Sequence, residues 1–468
     1  MQGVTRALTT WLVVAAWFLG LGLIRWNLGL ATSYDYGIFA QSAQAYAHLQ
    51  PPVSTIRGIN LLGDHFSPIT ALWGLAWLVW PDPRALLVVQ ALCLAGGVVV
   101  AAETARALLP RARWFGWVVV ASGALGGQVL GAALFDVHEV SFGFPLVALL
   151  ASGLLRQRPA AVLGAAAGLV LVKEDLGSMV VMAAVLWWFT GPRTHRWVAV
   201  ALASIGVGGF LLAVTTVAAI NPAGSSPYTG NVLFSPIAAS WADVPSTILT
   251  TRLAPLGLFV LTAGVFGVTS RVALLALPTL TWRLVSSVST HALVGFHYDL
   301  LLWPIATLAL VDAWARSTPG HPDRRAPTPA FVAAGLALLL SIVVGIAHLE
   351  QRSVRVQGLS GESTKVRSIR AAAAAIPAGS AVGATNDIGP YLVADQRVYH
   401  LGSGGWASGE VAYLVVPTQG TSAYGLSGCA RAQLDGLLAS GGATLVAAEP
   451  GVEAYRLDPP TSRVAHGC

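Results

Sequence analysis

Charge is what this sequence has least of: only 10% of its 468 residues are Asp, Glu, Lys or Arg, against roughly a quarter in ordinary soluble domains. With 55% hydrophobic residues and a mean hydropathy of +0.67, the composition excludes a soluble globular fold and points to a polytopic membrane protein. Lysine is nearly missing. Lys173 and Lys365 are the only two, so the net charge of +6 rests on arginines clustered between apolar runs. That is the pattern of cytoplasmic loops, and it reports topology, not nucleic-acid binding. Walker and dinucleotide fingerprints, fixed-period repeats and long low-complexity tracts are missing too, which leaves ATP-driven transport without support. The apolar stretch after Arg6 is followed by no small-residue cleavage site, so it reads as a retained helix and not a cleaved signal.

What is present is a series of apolar runs. About 20 such residues span a bilayer core. The runs near 8–28, 84–103, 114–134, 141–155, 159–172, 176–190, 197–219, 253–270, 272–290, 297–315 and 329–348 predict about eleven transmembrane helices. With Arg6 inside, Asp35 lies outside, and Arg106, Arg111 and Arg113 mark the next positive loop, so an odd number of crossings separates Asp64 from Arg106. The run 66–80 is therefore expected as an interfacial or re-entrant helix, and 36–49 as a second helix along the membrane surface. The same assignment puts Arg156/Arg158, Arg193/Arg196, Arg271 and Arg316/Arg324/Arg325 inside and everything after about 349 outside.

Composition changes at that point. An amphipathic helix carrying Arg352, Arg355, Glu362, Lys365, Arg367 and Arg370 leads into "SAVGAT", "VYHL", "VAYLVV", "ATLVAAE" and "EAYRLD" as strands, with "CARAQLDGLLASGG" as a helix ended by glycine. The expected organisation is a transmembrane domain over 1–348 and a small extracytoplasmic α/β domain over 349–468. Of the three cysteines, Cys93 falls in an apolar run; Cys429 and Cys468 could pair if their region is extracytoplasmic.

Unusual polar residues collect on the outer side. Asp35, in "SYDYGIFAQ", is either the N-cap of the following helix or a general base able to take the proton of an attacking hydroxyl, with Tyr34 and Tyr36 as an amphipathic wall. Asp64 and His65 are competent ligands for a divalent cation such as Mg or Mn, or form a local hydrogen-bond pair. "FDVHEV" adds Asp136, His138 and Glu139, a density of ionisable groups that in membranes marks function unless the groups are simply hydrated among headgroups. A helix starting near Arg156 reaches Val172 after about 25 Å at 1.5 Å per residue, short of the roughly 30 Å core. Lys173, Glu174 and Asp175 thus fall in a protein-lined cavity below the outer surface, where Lys173 either pairs with a glutamate or contacts a phosphate. His291, His297 and Tyr298 make a third histidine-bearing outer loop, and Arg57 is the main arginine of the first.

The stretches "YDYGIFAQ", "GDHFSPI", "LLVVQAL", "FDVHEVSFGFP", "VKEDLG" and "FHYDLLLWP", with the tail "IPAGSAVGATNDIGPYLVADQRVYHL", resemble a family of predicted bacterial membrane proteins catalogued as a domain of unknown function. That family is similar to the GT-C superfamily of integral-membrane glycosyltransferases, in which an acidic residue of the first outer loop precedes interfacial helices. Asp35 matches in placement and departs from the superfamily's common paired-acid form, having tyrosine on either side. The resemblance implies a GT-C-like fold. It also implies inverting transfer of a sugar from a polyprenyl-phosphate donor to a cell-envelope glycan or lipid acceptor at the extracytoplasmic face of a bacterial plasma membrane. Asp35 would act as base; Asp64, His65, His138 and Glu139 would position or metal-bridge the phosphate; Lys173 would offset its charge. Arg57, Tyr34, Tyr36, Glu174, Asp175, His291, His297 and Tyr298 complete the expected substrate site. The alternatives are a transporter or flippase of a lipid-linked precursor, or a non-catalytic envelope scaffold. High alanine and glycine, with arginine over lysine, suggest a GC-rich bacterial genome.

Overall fold

Helices form where the apolar runs are, and they break where glycine, proline and polar loops interrupt them. The computed structural model describes residues 2–224, 246–286, 289–317, 328–351, 356–401, 411–418 and 428–461. Most of the loop 221–251, Arg324, Arg325, Arg352, Arg355 and the pairing of Cys429 with Cys468 lie outside the described residues.

Helices α1 (Gln2–Asn27), α4 (Ala85–Leu108) and α10 (Arg196–Ile220) are long and apolar enough to cross a membrane, as is the segment His297–Ser317 that contains α13 (Leu302–Ser317). Helices α5 (Phe115–Leu125) and α6 (Gly127–Ala133) make a fifth candidate if their 43° bend at Gly126 is counted as one broken span. The remaining apolar stretches also contain helix, as the shorter pieces α7 (Val140–Leu155), α8 (Pro159–Leu169), α9 (Leu176–Thr190), α11 (Ser246–Thr262) and α12 (Leu277–Val285), and as α14 (Thr328–Gln351), which at 24 residues is as long as α4. By length and composition the described residues give four spans, or five, where the sequence predicts about eleven.

The difference has local causes. Helix α11 ends before Gly264 and Val265, whose φ values of 63° and 59° cannot continue a right-handed helix. The run 272–290 opens as a 3-10 turn, Arg271–Ala276, before Pro278 starts α12. α4 lies at the centre, against α1, α5, α7 and α13, and Gly97 gives Phe144 of α7 room against its backbone.

Between α1 and α4 the chain makes a π-helical turn, Ser33–Gly37, that runs into α2 (Ile38–Ala47), then a two-residue hairpin β1 (Val53–Ser54) and β2 (Ile59–Asn60), then α3 (Ala71–Val79). At about 1.5 Å per residue α3 is too short to cross a bilayer, and it exposes Leu72, Leu75, Leu78 and Val79.

The C-terminal unit follows α15 (Thr364–Ala374) as a five-stranded mixed sheet of order β4-β3-β5-β7-β6. The strands are β3 (Ala381–Ala384), β4 (Arg397–His400), β5 (Val411–Pro417), β6 (Ala443–Glu449) and β7 (Val452–Thr461), with α16 (Gly428–Ala439) between β5 and β6. β3 pairs parallel with β4 and β5, whereas β7 runs antiparallel to β5 and β6. All five segments read as strands in the sequence are strands here.

This unit sits directly on the first loop. Lys365 Nζ donates to the Gly29 carbonyl at 2.9 Å, and Ser363 N to that of Asn27 at 2.7 Å. The edge strand β4 gives its Val398 carbonyl to Gln41 Nε2 and Thr55 Oγ1. One apolar cluster runs from the helices through Trp26 and Tyr36 to Ile388, Tyr391 and Val398.

Gly97→Leu drives a branched side chain into the Phe144 ring. We expect it to cost about 1–3 kcal/mol, read as a lowered melting temperature in detergent. Gly164→Ala, which adds a methyl in open space, melts with the wild type. Equal melting of the two variants would contradict this packing.

Candidate functional site

Asp35 lies in the π-helical turn, a backbone irregularity often found at functional positions. The first N–H groups of a helix have no partners within it, and an aspartate in the first turn ordinarily serves them. Here other residues do so. Asp136 Oδ2 accepts from Thr32 N at 3.0 Å and from its hydroxyl at 2.6 Å. The Asn386 carbonyl accepts from Ser33 N at 2.7 Å, and Asn386 Oδ1 from Tyr34 N at 3.1 Å. No hydrogen bond or ion pair among the described residues engages the Asp35 carboxylate, which opens into a cavity of about 840 Å³. Protein walls surround it, and that burial, with the negative charges of Asp136 and Glu139, pushes its pKa up to about 7 against the pull of Lys173 and Arg57. The N-cap reading of Asp35 is thus not the role the structure gives it.

The two tyrosines face opposite ways. Tyr34 lines the cavity and meets the His400 ring edge-on at 4.7 Å. Tyr36 is 2% exposed and outside the cavity lining, its hydroxyl donating to the Pro83 carbonyl at 2.9 Å and its ring against Trp26. Of the fourteen residues of the expected site, the thirteen other than Tyr36 all line this cavity.

Ion pairs join one loop to another around it. Arg57 donates to both oxygens of Asp64, at 3.2 and 3.0 Å. His65 Nδ1 is 2.7 Å from Glu174 Oε1, while Glu174 Oε2 accepts from Phe66 N. Burial alone would raise the Glu174 pKa, but His65 and Lys173 hold it down at about 2. Lys173 Nζ donates to Glu139 Oε1 at 2.9 Å, and Glu139 Oε2 lies 2.8 Å from His138 Nδ1. Glu139 is nearly fully buried, yet its contact with His138 and the charge of Lys173 overcome desolvation and hold it well below the usual carboxylate range. Asp175 stays raised, at about 6, because burial outweighs Lys173.

Asp64 bonds to Arg57, and Lys173 pairs with Glu139 across the fold, the Lys–Glu pairing that the sequence offered as one of its two readings. Asp64, His65, His138 and Glu139 do not fit a divalent cation in this arrangement. Asp64 is taken up by Arg57, His65 by Glu174 and Glu139 by Lys173 and its neighbour His138, and among the described residues no group of three or more His, Cys, Asp and Glu side chains is placed to hold a metal ion.

On the far wall, Arg283 of α12 forms a fully buried pair with Asp299 at 2.6 Å and donates to the His291 carbonyl at 2.8 Å, fixing the loop that carries His291, His297 and Tyr298. Burial, with Lys173 and Arg283 nearby, lowers the His291 pKa to about 4. The His297 ring stacks on His138 with centroids 3.5 Å apart. The cavity then continues between helices along Met182 of α9, Phe210, Val214 and Val217 of α10, and Leu277, Pro278 and Val285 of α12. One end is ionic and the other apolar.

Sequence reasoning missed Asn386, Arg283, Asp299 and Trp282, and it noted Asp136 without giving it a task. Asp299 stands in the quoted "FHYD", so a buried cation for it was a readable demand; nothing in the sequence pairs Asn386 with residue 34.

A model of the family described as predicted membrane protein (DUF2079) matches residues 26–408. No curated protein matches the chain. Among solved structures, ArnT from Cupriavidus metallidurans bound to undecaprenyl phosphate is 14% identical, with 99% of each chain covered and a TM-score of 0.51. The same protein in the apo state is also 14% identical over 99% of each chain, at a TM-score of 0.48. The first of these likenesses shows a shared fold, GT-C-like as the sequence motifs imply.

Removing Arg283 strands a buried carboxylate. We expect Arg283→Met to lose about 3–5 kcal/mol of stability, and Arg283→Met/Asp299→Leu to recover most of it, measured by thermal denaturation of the purified protein. A double variant as unstable as the single one would contradict the pairing.

Proposed function

We infer that this chain, which belongs to the DUF2079 family of predicted membrane proteins, is an inverting glycosyltransferase. It would take a sugar from a polyprenyl-phosphate donor and pass it to a hydroxyl of an envelope glycan or glycolipid. The observation that carries the reading is Asp35: a carboxylate without a partner among the described residues, lining a cavity with an ionic end and an apolar end. Such a cavity suits an amphiphilic anion. The prenyl chain would lie along Phe210, Val214 and Leu277, and the phosphate beside Lys173 and Arg57. The likeness in fold to a protein crystallised with undecaprenyl phosphate supports this choice of donor.

In the reaction the acceptor oxygen attacks the anomeric carbon while Asp35 takes the hydroxyl proton, and the bond from that carbon to the phosphate oxygen breaks with its electron pair leaving on the phosphate. Lys173 and Arg57 offset the departing charge as fixed cations in the cavity wall. No step passes through a metal. His65, His138 and His297 shape the ionic end, and Tyr34 forms its wall towards the C-terminal unit.

In this reading the short apolar helices α7, α8, α9, α11 and α12 complete the crossing of about eleven segments as broken or shortened spans, α2 and α3 lie in the interface, the N-terminus is cytoplasmic, and the cavity and the C-terminal unit face outward from a plasma membrane.

Asp35→Asn should lower transfer from polyprenyl-phosphate sugars by about 10²–10⁴-fold, assayed with purified protein in nanodiscs, while Asp82→Asn retains it. Because the base is the carboxylate, activity should rise with pH to a plateau above the Asp35 pKa of about 7. Below that midpoint it should fall about tenfold per pH unit. A profile flat from pH 5 to 8, or undiminished transfer by Asp35→Asn, sinks the assignment. Chelation with EDTA should leave the rate within about twofold, since charge stabilisation is assigned to fixed cations.

A further inference from the structure

We propose that Asn386, on the C-terminal unit, is the positioning residue that keeps the Asp35 carboxylate free, so that this unit completes the active site. The inference rests on the reading of Asp35 as the base. The argument begins with competition. A helix start must find acceptors for its leading N–H groups, and Asp is among the best side chains for that task. Left to itself, an aspartate at position 35 is drawn to the backbone around it. Asn386 relieves it of that task with two acceptors on one residue: its carbonyl takes Ser33 N at 2.7 Å and its Oδ1 takes Tyr34 N at 3.1 Å. Asp136 takes the third donor, Thr32 N.

Asn386 is itself held firmly. It is 8% exposed and lies between β3 and the 3-10 turn Gly389–Tyr391. Its neighbour Asp387 pairs with Lys365 at 2.9 Å, and Lys365 donates to the end of α1 at Gly29. Tyr391 donates its hydroxyl proton to the Trp26 carbonyl and accepts from Ala31 N, clamping the turn to the same helix end. At Gly389 the backbone comes so close to Ser33 Oγ that a Cβ would overlap it. The C-terminal unit therefore meets the first loop at the very residues that set the turn.

The charged and titratable groups facing Asp35 are Asp136 and Glu139 from the α6–α7 junction, Lys173 from the α8–α9 loop, Arg57 from the hairpin and Tyr298 ahead of α13. Among the described residues none belongs to the C-terminal unit, so Asn386 acts on Asp35 through the backbone of the turn and not through charge.

The test uses the full chain in nanodiscs with two readouts. One is the pH dependence of transfer. The other is covalent labelling of Asp35 by an apolar carbodiimide, which adds to the protonated acid, followed peptide by peptide in mass spectrometry. In the wild type labelling falls as pH rises, with a midpoint near the Asp35 pKa of about 7. In Asn386→Ala the turn relaxes, the carboxylate meets N–H donors and water, and the midpoint drops by about one pH unit or more, while kcat falls about tenfold and KM changes less than about twofold. Asn386→Asp keeps an acceptor for Tyr34 N and adds a negative charge, so kcat stays within about threefold of wild type and the midpoint moves upward. An unmoved labelling midpoint in Asn386→Ala overturns the proposal, whether or not the protein melts lower and whether or not it transfers sugar. A midpoint that moves in a protein transferring no sugar upholds the positioning role and removes the glycosyl-transfer reading instead.

Discussion

The site depends on how the first helix turn after α1 satisfies its backbone. Three leading N–H groups, of Thr32, Ser33 and Tyr34, are taken by Asp136 from the α6–α7 junction and Asn386 from the C-terminal unit. This arrangement ties three distant parts of the chain to one turn. It also explains how an aspartate in the first turn of a helix stays uncommitted and carries a raised pKa. Arg25, 3.5 Å from Asp136 at the end of α1, neutralises that capping residue, so a buried acceptor is held without an unpaired charge.

The second feature is that cavity cations come already paired. Arg57 is held by Asp64 and Lys173 by Glu139, with His65 on Glu174. The Lys173–Glu139 and His65–Glu174 pairs bridge separate loops and the Arg57–Asp64 pair braces the first loop, so the network closes the cavity and restrains its long side chains. Pre-ordered donors lose little freedom on binding, which favours stabilisation of developing charge over simple attraction. The apolar continuation along α9, α10 and α12 begins where this network ends. In the proposed reading the wall itself would separate a headgroup from a hydrocarbon tail.

Much of this was legible in the sequence, and the reason is physical. Arginine bias sorted the loops, and ionisable groups too costly for lipid gathered on one side, so thirteen of the fourteen residues of the expected site line one cavity. The strands of the C-terminal sheet followed from alternation and turn residues. What stayed hidden depends on long-range partners. Lys173 has glutamates at both 174 and 139, and only packing selects Glu139. Tyr34 and Tyr36 look alike in "SYDYG", but the turn sends one to the cavity and the other against Trp26 and Pro83. Also hidden was where the apolar runs break, at the positive φ of Gly264 and Val265 and the bend at Gly126.

The account makes one chemical claim above all: the carbon–oxygen bond between sugar and lipid phosphate is broken at this cavity. Its most direct measurement supplies purified protein, in sealed proteoliposomes, with a radiolabelled polyprenyl-phosphate sugar of known anomeric configuration and a glycan acceptor. The account predicts polyprenyl phosphate released in equal amount to glycosylated acceptor, with the anomeric configuration inverted. Intact donor carried across the bilayer, its sugar–phosphate bond unbroken, would contradict it.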